Sequence, residues 1–435
     1  MAVSNINAII NKDIHKVWDI VFAVEKYSEW RSDLSKTEIV WFYPASMTQN
    51  RFNKFKAEWE NTFATLFGAP ISNIIAASES VAPYYYHKAK KGATSTVVSV
   101  DIGGGTTDVL IVDKGEPKYL TSFRFAANTI FGDGYSYDSD SNGFVNKYKD
   151  IITNQLETNN LRGLKAVLKS VLDKRVSTDV IAFLFSLASN KEIKKEKVEI
   201  NFAKMLADDN RGKYVVILFY VAIVYHIAKL MKAKGFDMPR HMTFSGNGSK
   251  VLNILSTNDA TLVRLTKIIF EEIYAQSYSI DGLDIIRPAN SKESTCKGGI
   301  ILTPFQSQDY GEIKDMKTIL IGTDNEKFAD VHMTYNDVTE ADLDSVVDVI
   351  KEYIEFTFKL DKKFSFYDNF DVDRSIMNKV KDLCYRDIRT YLENGLAIKK
   401  SEIAQDGADD NLEETLFFYP LVGIINAVVR NIYQM

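Results

Sequence analysis

Short apolar runs bounded by turn residues alternate along this chain with longer stretches whose apolar positions recur every three or four residues, and the two patterns predict strands and helices. Ser95-Thr-Val-Val-Ser-Val100 and Val109-Leu-Ile-Val112 are strand-length runs rich in β-branched residues, and Asp101-Ile-Gly-Gly-Gly-Thr-Thr-Asp108 lies between them. The spacing predicts a strand that runs into a glycine turn and returns as a second strand. Upstream, Thr37 to Ser46 predicts a strand ending at Pro44. Ser46 and Gln49 then form a capping-box pattern, and Phe52, Phe55, Trp59, Phe63 and Leu66 follow at helical spacing until Gly68-Ala-Pro70. Ile74 to Tyr84 predicts a short strand handing over to a helix, and Ile14, Val17, Trp18, Val21 and Phe22 predict a helix near the N-terminus.

Further along, Leu161, Leu164, Val167, Leu168, Val171 and Leu172 mark one amphipathic helix, with Lys191 to Lys197 as a charged connection after it. Arg240-His-Met-Thr-Phe-Ser245 predicts a strand opening into Gly246-Asn-Gly-Ser249, followed by a helix over Lys250 to Leu255. A hairpin is expected around Thr318 to Thr334. Thr339 then caps a helix that has Glu340 and Asp342 in its first turn, with Leu343, Val346, Val347, Ile350, Tyr353 and Ile354 as a core or interface stripe. Two runs invite comparison with membrane spans. Tyr214 to Ala228 is shorter than the roughly 20 apolar residues a span needs, and Leu416 to Val429 is shorter still and contains Pro420 and Gly423. The first is expected to be a buried helix, and the second a terminal packing helix or an interface.

Composition narrows the class. With 435 residues, 46% apolar and 26% charged, the chain is long enough for two or three domains with cores of their own. Fifty-three basic against 58 acidic side chains give a net charge of −5, which argues against nucleic acid and anionic membranes as partners. Cys296 and Cys384 are the only cysteines and lie far apart, and the five histidines lack ligand spacing, so neither a disulfide framework nor a thiolate zinc site is indicated. The N-terminus shows no signal-peptide pattern, and a cytoplasmic location is expected.

The chemistry concentrates at the glycine hairpin. Three successive glycines let backbone amides approach a ligand closely and take φ values closed to other residues, and a concavity of amides suits an oxyanion such as phosphate. Asp101 and Asp108 supply the hard oxygens that magnesium prefers. No Gly-Lys-Ser/Thr follows, so this is not a Walker loop.

The phrase from Asp101 to Asp108 resembles the second phosphate loop of the actin-like ATPase superfamily, which includes DnaK-type chaperones, actin, FtsA and ParM. The segment Ile74-Ile-Ala-Ala-Ser-Glu79-Ser-Val-Ala-Pro-Tyr84 resembles the DnaK-type stretch leading to an acidic residue. Ser245-Gly-Asn-Gly-Ser249 resembles the adenosine motif, with Asn247 where a glycine is more usual, and Phe131-Gly-Asp-Gly134 resembles a further glycine turn. Lys297-Gly-Gly-Ile300 sits where the family begins the helix that closes its second domain. The resemblance implies an actin-like (ribonuclease H-like) α/β fold that binds ATP and Mg2+. Gly103, Gly104, Gly105, Thr106 and Thr107 would hold phosphates, with Gly132 and Gly134 nearby, and Gly246, Asn247, Gly248 and Ser249 would hold the adenosine. Asp101 and Asp108 would hold the metal, Glu79 would orient the attacking water, and Glu79 and Asp101 would be the catalytic residues.

The family's first phosphate loop, Asp-x-Gly-Thr/Ser in an opening hairpin, is not found at the start of this chain. Ile319-Leu-Ile-Gly-Thr-Asp324 lacks the leading Asp. The expected organisation is therefore a partial first lobe over residues 1–93, a complete second lobe over 94–305 with a helical insert at about 140–212, and a helical region over 306–435 returning to the first lobe. His87 to Gly92 is expected to be a solvated crossover loop. The chain would be the ATP-binding module of a longer DnaK/actin-like protein, an ATPase if the intact protein supplies the first loop, with a protein partner at the C-terminal helices. A non-catalytic interaction module keeping the lobe shape, or a filament subunit of FtsA or ParM type, is the alternative.

Overall fold

The structure, a computed structural model, describes residues 39–43, 49–68, 70–91, 96–135, 139–279, 282–288, 291–301, 333–406, 412 and 414–435. The helix expected around Ile14 to Phe22, the Ser46 cap and nearly all of the hairpin expected at 318–334 lie outside these residues.

Among the described residues the strands form two sheets. The smaller is a parallel pair, β1 (Ile39–Tyr43) and β2 (Ile74–Ser78), joined through helix α1 (Gln49–Phe67). The aromatic positions at helical spacing in α1 are its packing face: Trp59 stacks on Trp41 of β1 with ring centroids 5.7 Å apart, and Phe63 stacks on Trp59 at 5.4 Å. The larger sheet has the order β5-β4-β3-β6-β7. Strands β3 (Val97–Ile102), β4 (Thr107–Asp113) and β5 (Glu116–Phe123) form an antiparallel meander, and β6 (His241–Ser245) and β7 (Asp284–Ile286) add in parallel on the other side of β3. The chain is thus an α/β protein built on a mixed five-stranded sheet.

Alternation along β3 divides the sheet into two faces. Val98, Val100 and Ile102 enter the large core, together with Val109 and Ile111 of β4 and Phe123 of β5. Val97, Leu110, Val112 and Leu120 belong to the opposite face, which helix α2 (Val81–Lys91) covers with Val81, Ala82, Tyr84 and Tyr85. Helix α2 continues through Lys91, so residues 87–91 of the expected loop are helical.

Helix α3 (Ala127–Phe131) leads to the helical insert, which comprises α4 (Gly143–Thr158), α5 (Arg162–Asp173), α6 (Ser177–Ser186), α7 (Lys191–Lys195) and α8 (Phe202–Ala207). The expected charged connection at Lys191 to Lys197 is mostly α7. Asn190 caps it by accepting from the Glu192 amide at 2.9 Å, and the single apolar residue Ile193 is buried while the lysines face water. Asp209 ends the insert at a buried junction. It accepts hydrogen bonds from Lys147 at 2.8 Å, Tyr148 at 3.0 Å and Tyr433 near the C-terminus. Burial disfavours its ionised form, but these bonds and the Gly212 amide outweigh that and hold its carboxyl below the usual range.

Helix α9 (Lys213–Ala233) contains the apolar run Tyr214 to Ala228. It is long and apolar enough to cross a membrane by length and composition, yet 94% of its most apolar window is buried inside the protein. His226 of α9 is enclosed by Phe123, Phe417 and Phe418, and burial pushes its pKa down to about 3. The unfolded chain, with a histidine pKa near 6.5, takes up this proton first, so stability falls as the pH drops below about 6.5 and continues to fall toward 3. His226→Leu is expected to remove about 1.4 kcal/mol of the stability difference between pH 7.5 and pH 5.5. Urea midpoints of both proteins at the two pH values check this, and equal pH dependence would contradict it.

After β6 come α10 (Leu252–Leu255), α11 (Asp259–Tyr274) and, beyond β7, α12 (Ser291–Ile301). Helix α12 packs on α2 and β1, and Gly298 lies so close to the Ala82 carbonyl that any side chain there would collide with it. Lys297-Gly-Gly-Ile300 therefore occupies the last turns of this helix rather than its start. The final helices are α13 (Glu340–Phe364), α14 (Phe366–Phe370), α15 (Met377–Cys384), α16 (Ile388–Asp406) and α17 (Phe418–Asn431). Thr339 and Asp342 form the capping box of α13. Helix α13 packs on α9 and α11, and α17 packs on α3, α4 and α9. The stripe from Leu343 to Ile354 and the run from Leu416 to Val429 are core, because their apolar faces share one cluster with the sheet. Arg124, just after β5, joins this region to the sheet, its amide donating to Glu414 at 2.8 Å.

Candidate functional site

The pairing register of the large sheet assembles the site. Asp101 is the cross-strand neighbour of Asp108, Ser245 pairs with Asp101, and Ser122 pairs with Asp108. Directly opposed residues share a face, so Ser245, Asp101, Asp108 and Ser122 form one row across four strands. All four are buried, at 0%, 8%, 3% and 7% exposure. Ser245 Oγ donates to Asp101 Oδ2 at 2.9 Å. In the next row the Thr243 hydroxyl donates to Ser99 Oγ at 3.1 Å, and beyond that the face becomes apolar and meets α2. Two carboxylates directly opposed on adjacent strands repel each other. Burial strengthens that repulsion by lowering the local dielectric.

The tip above this row spans residues 103–106. The Gly103 amide donates to the Thr106 carbonyl at 2.9 Å and closes the turn. The first amides of α3 hold it from one side: Ala127 donates to the Gly103 carbonyl at 3.3 Å and Asn128 to the Gly104 carbonyl at 2.8 Å. In a trans peptide the N–H points opposite to the carbonyl before it. With the carbonyls of 103 and 104 turned toward α3, the amides of Gly104 and Gly105 both point away from it. Among the described residues neither amide makes a hydrogen bond.

The glycines of the tip do not have the left-handed backbone expected of them, since none has positive φ. Packing does not demand glycine at 105 either, because among the described residues nothing lies within 4 Å of a Cβ added there. At 104 the nearest atom to such a Cβ is Oδ1 of Asn128 at 3.6 Å, an ordinary contact. Bare backbone at 104 and 105 leaves room for a group approaching from outside.

The other expected site residues divide. Gly246 and Gly248 lie against the hairpin: a Cβ at Gly246 would collide with the Ile102 carbonyl and the Asp101 carboxylate, and one at Gly248 with the Gly103 carbonyl. Gly246 also has φ +80° and ψ 155°. Asn247 is exposed beside them, and the Ser249 hydroxyl donates to the Gly246 carbonyl at 2.7 Å. Thr106 sits at the tip with its carbonyl engaged by Gly103. Thr107 departs from expectation, because its hydroxyl is fully buried and donates to the Phe125 carbonyl at 2.6 Å. It falls on the opposite face from Asp108, as strand alternation requires. Gly132 and Gly134 turn toward the insert and the C-terminal helix: Asn142 donates to the Gly132 carbonyl at 2.7 Å, and Gly134 abuts Asn426. Glu79 lies where β1 and β2 end, its amide donating to the Tyr43 carbonyl at 3.0 Å. It leads into α2, which covers the face carrying the Asp101 row; among the described residues its carboxylate makes no hydrogen bond or ion pair.

Among the described residues no group of three or more His, Cys, Asp or Glu could hold a metal ion by itself. Two carboxylates with adjacent hydroxyls do fit magnesium, which keeps several waters and takes one or two carboxylates together with substrate phosphates. Ser122 and Asn128 were not anticipated from sequence. Ser122 joins the row only through the register of β4 with β5, although its two-residue spacing from Leu120 marks the face. Asn128 flanks Gly104 only because α3 abuts the tip.

No protein-family model matches the sequence, and no curated protein aligns with it significantly. Two solved structures superpose on about two thirds of the chain. MreB5 of Spiroplasma citri bound to ADP superposes with 13% identity over 69% of this chain and 78% of its own, at a TM-score of 0.29. The ethanolamine utilization protein EutJ from Carboxydothermus hydrogenoformans gives 11% identity over 66% and 76%, at a TM-score of 0.28. Scores of this size do not bear on chemistry, which rests on the site itself.

Proposed function

We propose that this chain is an ATP-binding module of the actin-like, DnaK-related kind, in which the β3–β4 hairpin receives the phosphate end of the nucleotide together with magnesium. One observation carries the reading: two amides at the glycine tip point the same way, directly above a buried row of two carboxylates and two hydroxyls. Gly104 and Gly105 donate to phosphate oxygens, and Asp101 and Asp108 hold the cation. Bound magnesium would screen the charge of the phosphates. Ser245 fixes the rotamer of Asp101, Thr107 anchors the far side of the hairpin, and the turn from Gly246 to Ser249 lies beside the phosphate loop, where the adenosine would rest. Glu79 is the residue to orient an attacking water if the intact protein hydrolyses ATP, because among the described residues its carboxylate makes no hydrogen bond or ion pair. Positioning supplies most of the rate in such reactions.

A non-catalytic lobe is the second reading. It is favoured by Gly246 and Gly248, whose small size the hairpin contact explains without any ligand. The two readings separate in an equilibrium binding assay. Magnesium-dependent binding of ATP by the full chain in the micromolar range is the expected result, and no measurable binding would establish the non-catalytic module.

A further inference from the structure

The row across the sheet extends one residue beyond the carboxylates. Ser122 opposes Asp108 on the same face as Asp101 and Ser245, is 93% buried, and its Oγ has no hydrogen-bond partner among the described residues. Its neighbours are different: Ser245 donates to Asp101, and Ser99 accepts from Thr243. Buried hydroxyls are ordinarily bonded, and each exception calls for a cause such as an absent water or ion. The orphaned oxygen stands beside a buried carboxylate, so the partner it lacks is polar and drawn by negative charge.

We infer that Ser122 is a positioning residue for the cation, its hydroxyl accepting from a hydrating water while Asp108 attracts the ion. This rests on the function proposed above. A serine oxygen both accepts and donates, and magnesium retains waters that need acceptors. Ser122 acts through that water, and its effect falls on cation affinity rather than on the grip of the tip amides on phosphate.

The test is titration of the full chain with Mn2+ in the presence of ADP, reading free Mn2+ by electron paramagnetic resonance, for wild type, Ser122→Ala and Ser122→Thr. Ser122→Ala is expected to weaken Mn2+ affinity about tenfold or more, the usual effect of removing an outer partner of a metal site. Ser122→Thr keeps the hydroxyl in a residue suited to a strand and should retain wild-type affinity. ADP affinity in EDTA and the melting temperature without ligand should be the same for wild type and Ser122→Ala. Unchanged Mn2+ affinity in Ser122→Ala would overturn the inference while leaving the nucleotide site in place. A lower melting temperature in that variant would also overturn it, by showing the hydroxyl already bonded in the free fold. If wild type itself binds no Mn2+ with ADP, both the inference and the function it rests on fall.

Discussion

Replacing Asp101 by asparagine should abolish magnesium-dependent nucleotide binding while the free protein still folds. Asparagine keeps the shape and can still accept the hydrogen bond that Ser245 makes at 2.9 Å. What it removes is one of two charges that oppose each other on neighbouring strands. Like charges directly opposed on neighbouring strands disfavour each other by up to about 1 kcal/mol at an ordinary sheet position. With a cation the same pair is the binding site. In an intact, active protein the hydrolysis rate should fall on the order of a hundredfold or more, as when an electrostatic stabiliser of the reacting phosphates is lost. A purely structural Asp101 would give the opposite pair of results, lower stability with ligand binding intact. Thermal melts and ATP titrations of the two proteins therefore decide between site and scaffold.

Gly246→Ala should be the most destabilising single methyl addition in the site, at about 2–6 kcal/mol. The backbone there, at φ +80° and ψ 155°, lies in a region open essentially only to glycine, which costs about 1–3 kcal/mol for any other residue. The added methyl must also displace the Ile102 carbonyl and the Asp101 carboxylate, a further overpacking cost of about 1–3 kcal/mol. Gly105→Ala makes the informative contrast. Among the described residues nothing within 4 Å meets its methyl, and its φ is not positive. The free protein should be unaffected or slightly stabilised, by up to about 1 kcal/mol through the unfolded chain. Phosphate binding should nonetheless weaken, because the methyl fills the space left for the ligand. Urea denaturation of both variants measures the stabilities. If Gly105→Ala binds Mg·ATP as tightly as wild type, bare backbone at the tip has no function in binding.

Local features of the fold were legible in the sequence, and those set by distant pairing were not. The hairpin from Val97 to Val112 could be read because β-branched alternation and a glycine turn are properties of adjacent residues. The same holds for the Thr339 cap and the stripe on α13. The row from Ser245 to Ser122 was out of reach, because β6 joins β3 only after the whole helical insert has intervened, and nothing local sets that register. Thr107 is a different kind of miss. Alternation from Asp108 already assigns it to the opposite face, but reading the hairpin as a loop of phosphate ligands passed over the parity of a strand. Short helices such as α7 escape notice because one buried isoleucine makes no periodic pattern. The C-terminal helices showed apolar faces but not what covers them, since a stripe on a helix carries no address.

In the proposed site two backbone amides grip phosphate, and the contact can be watched at those amides. Selective 15N-glycine labelling limits the spectrum to 22 residues, and Gly104→Ala and Gly105→Ala assign the two signals. On titration with Mg·ATP the amide protons of Gly104 and Gly105 should shift downfield together and saturate with the binding curve, with no such shift in Asp101→Asn. Both signals staying in place while ATP is bound, or no binding of Mg·ATP at millimolar concentration, would contradict the claim.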